Sequence, residues 1–232
     1  MSPSTLFYAL LGGVLPALLW LWFWLREDRL HPEPRALIMA SFVWGMIAVL
    51  LALPAEQWIS NKYASTMTLV IIGWAITEEV LKYLASYVSA LRRRENDEPI
   101  DSLIYLITAA LGFAALENTL FLAGAFKTGG IAGGVDLGIL RFVGASLLHV
   151  VSSGALGFFL ALGFYKRQTV KEIDFFIGVV AAIVLHTLFN LFILKGAGNG
   201  LYTFTIFGFV WLAVILLLIG FEKVKQLKKP ST

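Results

Sequence analysis

The sequence predicts an all-α polytopic membrane protein with about seven transmembrane helices, its N-terminus outside and its C-terminus in the cytoplasm. Of its 232 residues, 59% are hydrophobic and 14% are charged, and the mean hydropathy is +0.82. A soluble domain of this length cannot bury that much apolar surface. Several apolar runs are also long enough to cross a hydrocarbon core of about 30 Å. The basic residues, finally, are distributed unevenly among the connections between these runs.

Seven apolar runs with little charge form the predicted spans, and short polar connections separate them. The sequence shows no internal repeat and leaves no room for a separate soluble domain. Residues 1–232 are therefore predicted to form a single transmembrane domain. The predicted spans are 6–25, 36–54, 64–91, 100–126, 137–165, 175–194 and 201–221.

Lys and Arg lie mostly in the odd-numbered connections and in the C-terminal tail, which places these parts of the chain in the cytoplasm. Basic loops are ordinary topology signals in a membrane protein, so they do not predict nucleic-acid binding. Thirteen basic residues lie on this side and three lie on the other. The first set is Arg26, Arg29, Arg35, Arg92, Arg93, Arg94, Lys166, Arg167, Lys171, Lys223, Lys225, Lys228 and Lys229, and the second is Lys62, Lys127 and Lys195.

The third to sixth predicted helices carry polar side chains at bilayer depth, where each charge costs about 2.5–3.5 kcal/mol. At about 1.5 Å per residue, four of these side chains lie about 12–21 Å from the outer ends of their helices, so they could meet at one level. Small residues at i, i+4 spacing flank both histidines, which indicates that they face neighbouring helices. The set is Glu78, Glu79 and Lys82 in helix 3, Glu117 and Asn118 in helix 4, His149 in helix 5, and His186 and Asn190 in helix 6.

Structural roles account for some polar residues individually. A Glu78–Lys82 pair or a hydrogen-bonded histidine can stabilise helix packing, and Lys82 is expected to hold the carboxylates of helix 3. Asp101 is expected to cap helix 4, and Arg141 to extend to the outer membrane surface. Such roles do not explain three glutamates and two histidines at matched depth.

Glutamate and histidine together can activate water for hydrolysis. A carboxylate accepts the proton, while histidines hold a metal or stabilise an oxyanion. The H-E-x-x-H motif is absent, so these groups would come from separate helices. A serine mechanism through Ser146 or Ser153 leaves the glutamates unexplained, and the absence of cysteine excludes a thiol nucleophile.

Two alternatives to hydrolysis use the same residues. A proton- or cation-coupled transporter could employ the buried Glu, His and Lys cluster, although the inverted repeats and broken helices frequent in carriers are not seen. A non-enzymatic membrane scaffold is the third class. The four consecutive helices, each with a different motif, favour the hydrolase.

The ordered motifs resemble those of the PrsW family of intramembrane metalloproteases, within a wider group that includes CAAX prenyl proteases and bacteriocin-processing enzymes. The N-terminal run with the pattern D-R-x-x-P-E-P is also similar. The resemblance covers nearly the whole chain. It lies in EEVLK at 78–82, EPIDSLIYLITAALGFAALEN at 98–118, LRFVGASLLHVVSSGALGFFLALGF at 140–164 and LHTLFN at 185–190.

The resemblance implies an endopeptidase in the cytoplasmic membrane of a prokaryote, acting on a membrane-anchored protein or peptide such as an anti-sigma factor or a peptide precursor. Glu78 or Glu79 is expected to be the general base. A divalent metal, expected to be zinc, would be held by Glu117, His149 and His186. A metal-free mechanism, in which glutamate and histidine activate water and a His–Asn pair binds the oxyanion, is the alternative. The catalytic residues implied are Glu78, Glu79, Glu117, His149, His186 and Asn190, supported by Lys82 and Asn118.

Overall fold

The computed structural model describes residues 3–29, 31–196 and 199–228, and all regular structure within them is helical. The helices are α1 (Pro3–Leu25), α2 (Arg35–Lys62), α3 (Met67–Ser86), α4 (Pro99–Leu140), α5 (Ser146–Gly163), α6 (Gln168–Lys195) and α7 (Gly200–Lys225). A 3₁₀ turn at Arg26–Asp28 extends α1, a π-helical turn at Tyr87–Leu91 extends α3, and another at Arg141–Ala145 joins α4 to α5. The described chain therefore has six continuous helical stretches.

Five stretches are long and apolar enough to cross a membrane, and the predicted all-helical fold is confirmed. α3 is not among the five, because it carries two glutamates and a lysine. Large apolar side chains point outward, as on a lipid-facing surface; Phe176 and Phe204 are examples. Lys229, counted above in the basic tail, lies outside the described residues. The five candidate spans are Pro3–Asp28, Arg35–Lys62, Pro99–Gly163, Gln168–Lys195 and Gly200–Lys225.

The N-terminus of α4 is closed by a capping box. Glu98 is the N-cap in an extended conformation, and Pro99 follows at the first helical position, where its missing N–H is not needed. Asp101 lies at the third helical position, and its Oδ2 accepts hydrogen bonds from the backbone N–H groups of Asp97 (2.8 Å) and Glu98 (2.7 Å). The prediction that Asp101 is the N-cap itself is therefore wrong, since Glu98 fills that position and Asp101 is its partner in the capping box.

α5 folds back along α4 as an antiparallel partner. The stretch Pro99–Gly163 has 65 residues, and at about 1.5 Å per residue it would extend about 100 Å if straight, far beyond a bilayer. Gly130 breaks it with φ 64° and ψ −159°, a backbone conformation that L side chains disfavour. Contacts join residues on the two sides of the break: Asn118 bonds to Ser146, and Gly157 lies against the backbone of Leu103.

The first half of α4 forms the centre of the bundle. Every residue at positions 99–115 is buried, and α1, α2, α3 and α5 pack around this helix. Glycines allow α2 to approach closely: a Cβ on Gly45 would overlap the carbonyl of Ala109, and one on Gly112 would overlap the carbonyl of Phe42. This crossing fixes α4 relative to α2, and with it the position of the polar residues one to two turns further along α4.

Gly112→Ala is expected to lower the free energy of unfolding by about 1–3 kcal/mol, because the added methyl group forces α2 and α4 apart. The measurement is an SDS unfolding titration of the purified protein in detergent. Gly208→Ala is the matched control, since Gly208 of α7 has no atom near its Cβ position. Equal stability of the two variants would contradict the tight α2–α4 crossing.

Candidate active site

Four helices, the central α4 among them, bring the predicted polar residues together. The residues of α3, α5 and α6 are almost completely buried, whereas the carboxylate of Glu117 is partly accessible. The residues that meet here are Glu78, Glu79 and Lys82 of α3, Glu117 and Asn118 of α4, His149 of α5, and His186 of α6.

Glu79 accepts four hydrogen bonds. Its Oε1 is 2.6 Å from Lys82 Nζ, 2.7 Å from His186 Nδ1 and 2.8 Å from Ser152 Oγ, and its Oε2 is 3.0 Å from Ser153 Oγ. An ionised carboxylate only accepts, so each of these groups donates. His186 therefore carries its proton on Nδ1, and its Nε2 presents a lone pair. Glu79 thus joins α3 to α5 and α6 through hydrogen bonds. Ser153 is one of its donors rather than a nucleophile.

His149 lies between a cation and a carboxylate. Its Nδ1 is 3.0 Å from Lys82 Nζ, and its Nε2 is 3.1 Å from Glu117 Oε2. Since the ammonium only donates and the carboxylate only accepts, the imidazole is neutral with its proton on Nε2. Lys82 thus bonds Glu79 and His149, and the ion pair that the sequence suggested with Glu78 is replaced by one with Glu79.

The Glu117 oxygen that bonds to His149 also accepts from Arg141, which donates to Asn118 as well. The expected extension of Arg141 to the membrane surface is not observed, because these two side chains hold its guanidinium inside the bundle. Asn118 in turn donates to Ser146 Oγ at 3.0 Å. Ser146 is therefore a packing partner of α4, which accounts for it without a nucleophilic role.

Glu78 has an unused buried oxygen. Its Oε2 has no hydrogen-bond partner among the described residues, and it lies 3.7 Å from His186 Nε2 and 3.9 Å from His149 Nδ1. These are the two ring nitrogens that carry no proton. One atom from each of Glu78, His149 and His186 lies within 4.8 Å of the others. Two neutral imidazoles and a carboxylate with a free oxygen fit a zinc-type metal; such a metal would replace Lys82 at His149 Nδ1.

Comparison with the predicted ligand set shows one difference. Glu78, and not Glu117, shares this tight group with the two histidines. Glu117 and Glu79 instead bind the far nitrogens of His149 and His186, Nε2 and Nδ1 respectively. Carboxylates in that position fix the tautomer and orientation of a ligating histidine.

A cavity of about 770 Å³ opens onto these residues. Asn190 lies on its wall one turn after His186, and so do Glu78, Glu117 and His149. Sequence reasoning missed Glu56, which α2 contributes to the same wall. The second predicted span ended at residue 54, but α2 continues to Lys62. A charge just beyond the end of an apolar run was the signal available.

Comparisons with known proteins match the chain to one protein family. The family described as PrsW family intramembrane metalloprotease matches residues 33–219. "Protease PrsW" of Geobacillus kaustophilus is 27% identical over 234 residues, covering 96% of this chain and 93% of that protein. The protein of the same name from Oceanobacillus iheyensis is 28% identical over 218 residues (93% and 94%), and that from Bacillus subtilis is 23% identical over 199 residues (85% and 87%). No solved structure matches the chain.

Lys82→Met is expected to destabilise the protein by about 3–5 kcal/mol, because it leaves the buried charge of Glu79 without its cation. Adding Glu79→Gln removes the charge as well, so the double variant should regain much of the loss. SDS unfolding titrations of the wild type, both single variants and the double variant measure the coupling. If the double variant is as unstable as Lys82→Met, the Lys82–Glu79 pair is not what holds the site.

Proposed function

The chain belongs to the PrsW family of intramembrane metalloproteases, and we propose that its active site is the buried group of Glu78, His149 and His186. The observation that carries this proposal is the unpartnered Glu78 Oε2, which faces the unprotonated nitrogens of both histidines. The protein is an enzyme whose substrates are proteins. The site would hydrolyse a peptide bond of a membrane-anchored protein or peptide with water that these residues activate.

Glu78 is the proposed general base. Attack on the scissile carbonyl requires water to lose a proton, and a nearby carboxylate can accept it. Glu78 lines the cavity and keeps a free oxygen, whereas both oxygens of Glu79 already accept hydrogen bonds. Glu79 is therefore assigned to holding His186 and Lys82.

Glu78, His149 and His186 would also hold the divalent metal, which we propose to be zinc. Glu78 would then bind the ion through Oε2, which faces the two histidines, and its other carboxylate oxygen would accept the proton. A bound zinc ion supplies Lewis-acid activation of water and of the scissile carbonyl. Glu117 and Glu79 would keep the two imidazoles in the tautomers that direct His149 Nδ1 and His186 Nε2 at the ligand group. In the metal-free alternative, the same geometry lets Glu78 take the proton while His149 stays bonded to Lys82.

His186 and Asn190 share one face of α6 and both line the cavity. The amide of Asn190 is a donor one helical turn from His186, so it is placed to stabilise the oxyanion that forms on the substrate carbonyl. Asn118 is assigned a supporting role, because it accepts from Arg141 and thereby steadies the side chain that holds Glu117.

The proposed membrane arrangement has seven crossings in a single domain, with the N-terminus outside and the C-terminus in the cytoplasm of a prokaryote. The break at Gly130 supports two crossings within the stretch Pro99–Gly163. In this topology the site lies in the outer half of the bilayer, and cleavage would occur near the extracytoplasmic face of the substrate. An anti-sigma factor or a peptide precursor, both membrane-anchored, are the proposed substrates.

Glu78→Gln and His186→Ala are each expected to lower the cleavage rate of a membrane-anchored reporter peptide by about 100-fold to 10,000-fold, the range typical of lost acid–base catalysis. The purified variants are assayed in liposomes after their helical content and melting behaviour have been compared with the wild type. Asp136→Asn is the control, since Asp136 is an exposed residue of the same helical stretch as Glu117. Near-normal cleavage by folded Glu78→Gln would refute the assignment.

Removal of metal separates the two mechanisms. Dialysis against a strong chelator is expected to abolish cleavage, and stoichiometric zinc should restore it, because the Glu/His/His group loses its Lewis acid. Metal analysis of the purified wild type should find about one zinc per chain, with loss of this zinc in His186→Ala. Full activity of a chain verified to be metal-free would instead establish the glutamate mechanism.

Single-cysteine labelling tests the topology cleanly, because the natural chain has no cysteine. Glu95→Cys, in the connection after α3, should react with an impermeant maleimide only after the membrane is permeabilised. Lys62→Cys, at the end of α2, should react in intact cells. Both positions are exposed. The reverse pattern would invert the proposed orientation.

A further inference from the structure

A second group of carboxylates lies away from the active site. Asp28 ends the 3₁₀ turn after α1, Glu33 lies in the connection to α2, and Asp101 lies in the first turn of α4. One oxygen from each lies within 4.8 Å of the others. Asp101 and Glu117 are 16 residues apart on α4, a separation of about 24 Å along the helix. The group, here called the acidic triad, is thus distinct from the catalytic residues.

Asp28, a member of the acidic triad, has a buried oxygen without a hydrogen-bond partner among the described residues. The residue is only 6% exposed, and this oxygen is its Oδ2. No Lys or Arg in the described chain forms an ion pair with any member of the triad. The nearest histidine, His31, pairs with Glu98. Buried carboxylates in proteins are normally paired or bound to a metal.

Glu33 and Asp101 face each other closely enough to share a proton. The Tyr105 hydroxyl donates to Glu33, and Asp101 Oδ2 is taken by the two backbone donors of the capping box. Burial raises the pKa of Glu33 above its ordinary value, although the Tyr105 hydroxyl acts against this. A shared proton would satisfy this pair, but it would leave the buried oxygen of Asp28 without a partner. A divalent cation satisfies all three carboxylates at once.

We propose that the acidic triad binds a hard divalent cation of the Mg²⁺/Ca²⁺ class. Its members offer oxygen alone, which suits these cations and not the softer metals that prefer nitrogen or sulfur. The bound ion would tie the α1–α2 connection to the start of α4. Because α4 carries Glu117, the ion fixes the helix that orients His149 without taking part in the reaction.

Terbium luminescence in the purified full-length protein tests the site, with Tb³⁺ as the probe. Tyr105 contacts Glu33, and Trp24 lies one turn before Asp28, so both can sensitise a bound lanthanide. Wild type is expected to bind Tb³⁺ and to release it to Ca²⁺ or Mg²⁺. Asp28→Asn should weaken Tb³⁺ binding at least about tenfold. The control is Glu27→Gln, which removes one negative charge at the adjacent residue. Glu27 pairs with Lys225 and is not a member of the triad. Equal Tb³⁺ binding by Asp28→Asn and Glu27→Gln overturns the proposal.

Thermal unfolding gives a second readout that does not depend on Tb³⁺. In EDTA, Asp28→Asn should be at least as stable as wild type, because it removes an uncompensated buried charge. Addition of Mg²⁺ or Ca²⁺ should then stabilise wild type and Glu27→Gln but not Asp28→Asn. Two results overturn the proposal. In the first, low pH stabilises the wild type but neither Mg²⁺ nor Ca²⁺ does, which is what a shared proton in place of a cation would produce. In the second, Asp28→Asn is less stable than wild type in EDTA.

Discussion

The buried charge of Glu79 is the constraint on which the proposed catalytic group depends. A carboxylate that is 2% exposed needs donors on every side, and α3, α5 and α6 each supply at least one. The donors to Glu79 include His186 and Lys82. The bond from His186 sets the tautomer of that histidine, and the bond from Lys82 keeps the lysine ammonium beside His149. Glu78 Oε2 has no hydrogen-bond partner among the described residues, because the adjacent Glu79 accepts from the donors that surround the pair.

Sequence reasoning reached the fold class and the residues that meet, because apolar length and the placement of charge in apolar runs are local signals. It could not divide roles between Glu78 and Glu79. The two residues are adjacent and at nearly the same depth, so only the rotation of α3 about its axis decides which one faces Lys82 and His186. That rotation comes from packing against α2 and α6, which no single segment encodes.

Arg141 and Glu56 are two further residues whose positions could not be predicted from their own segments. Each lies near the end of a predicted apolar run, where a charged side chain ordinarily reaches water, yet both line the cavity. For Arg141 the deciding factor is a partner 24 residues earlier in the chain. For Glu56 it is the continuation of α2 past Pro54, a residue that ends many soluble helices but not this one. Asp101 was likewise assigned correctly to a helix start, but to the N-cap, three positions before the place that it fills in the capping box.

The π-helical turn at Arg141–Ala145 has a consequence for how the chain can change in length. Both Arg141 and His149 contact Glu117, although residues eight apart in a regular α-helix point about 80° apart. Absorbing one extra residue in the wider turn reduces that angle to about 20°. The alignment of Arg141 and His149 on Glu117 therefore depends on the one extra residue in the π-helical turn. Homologous chains that lack it must reach Glu117 with a cation from a different position, or leave that carboxylate to the histidine alone.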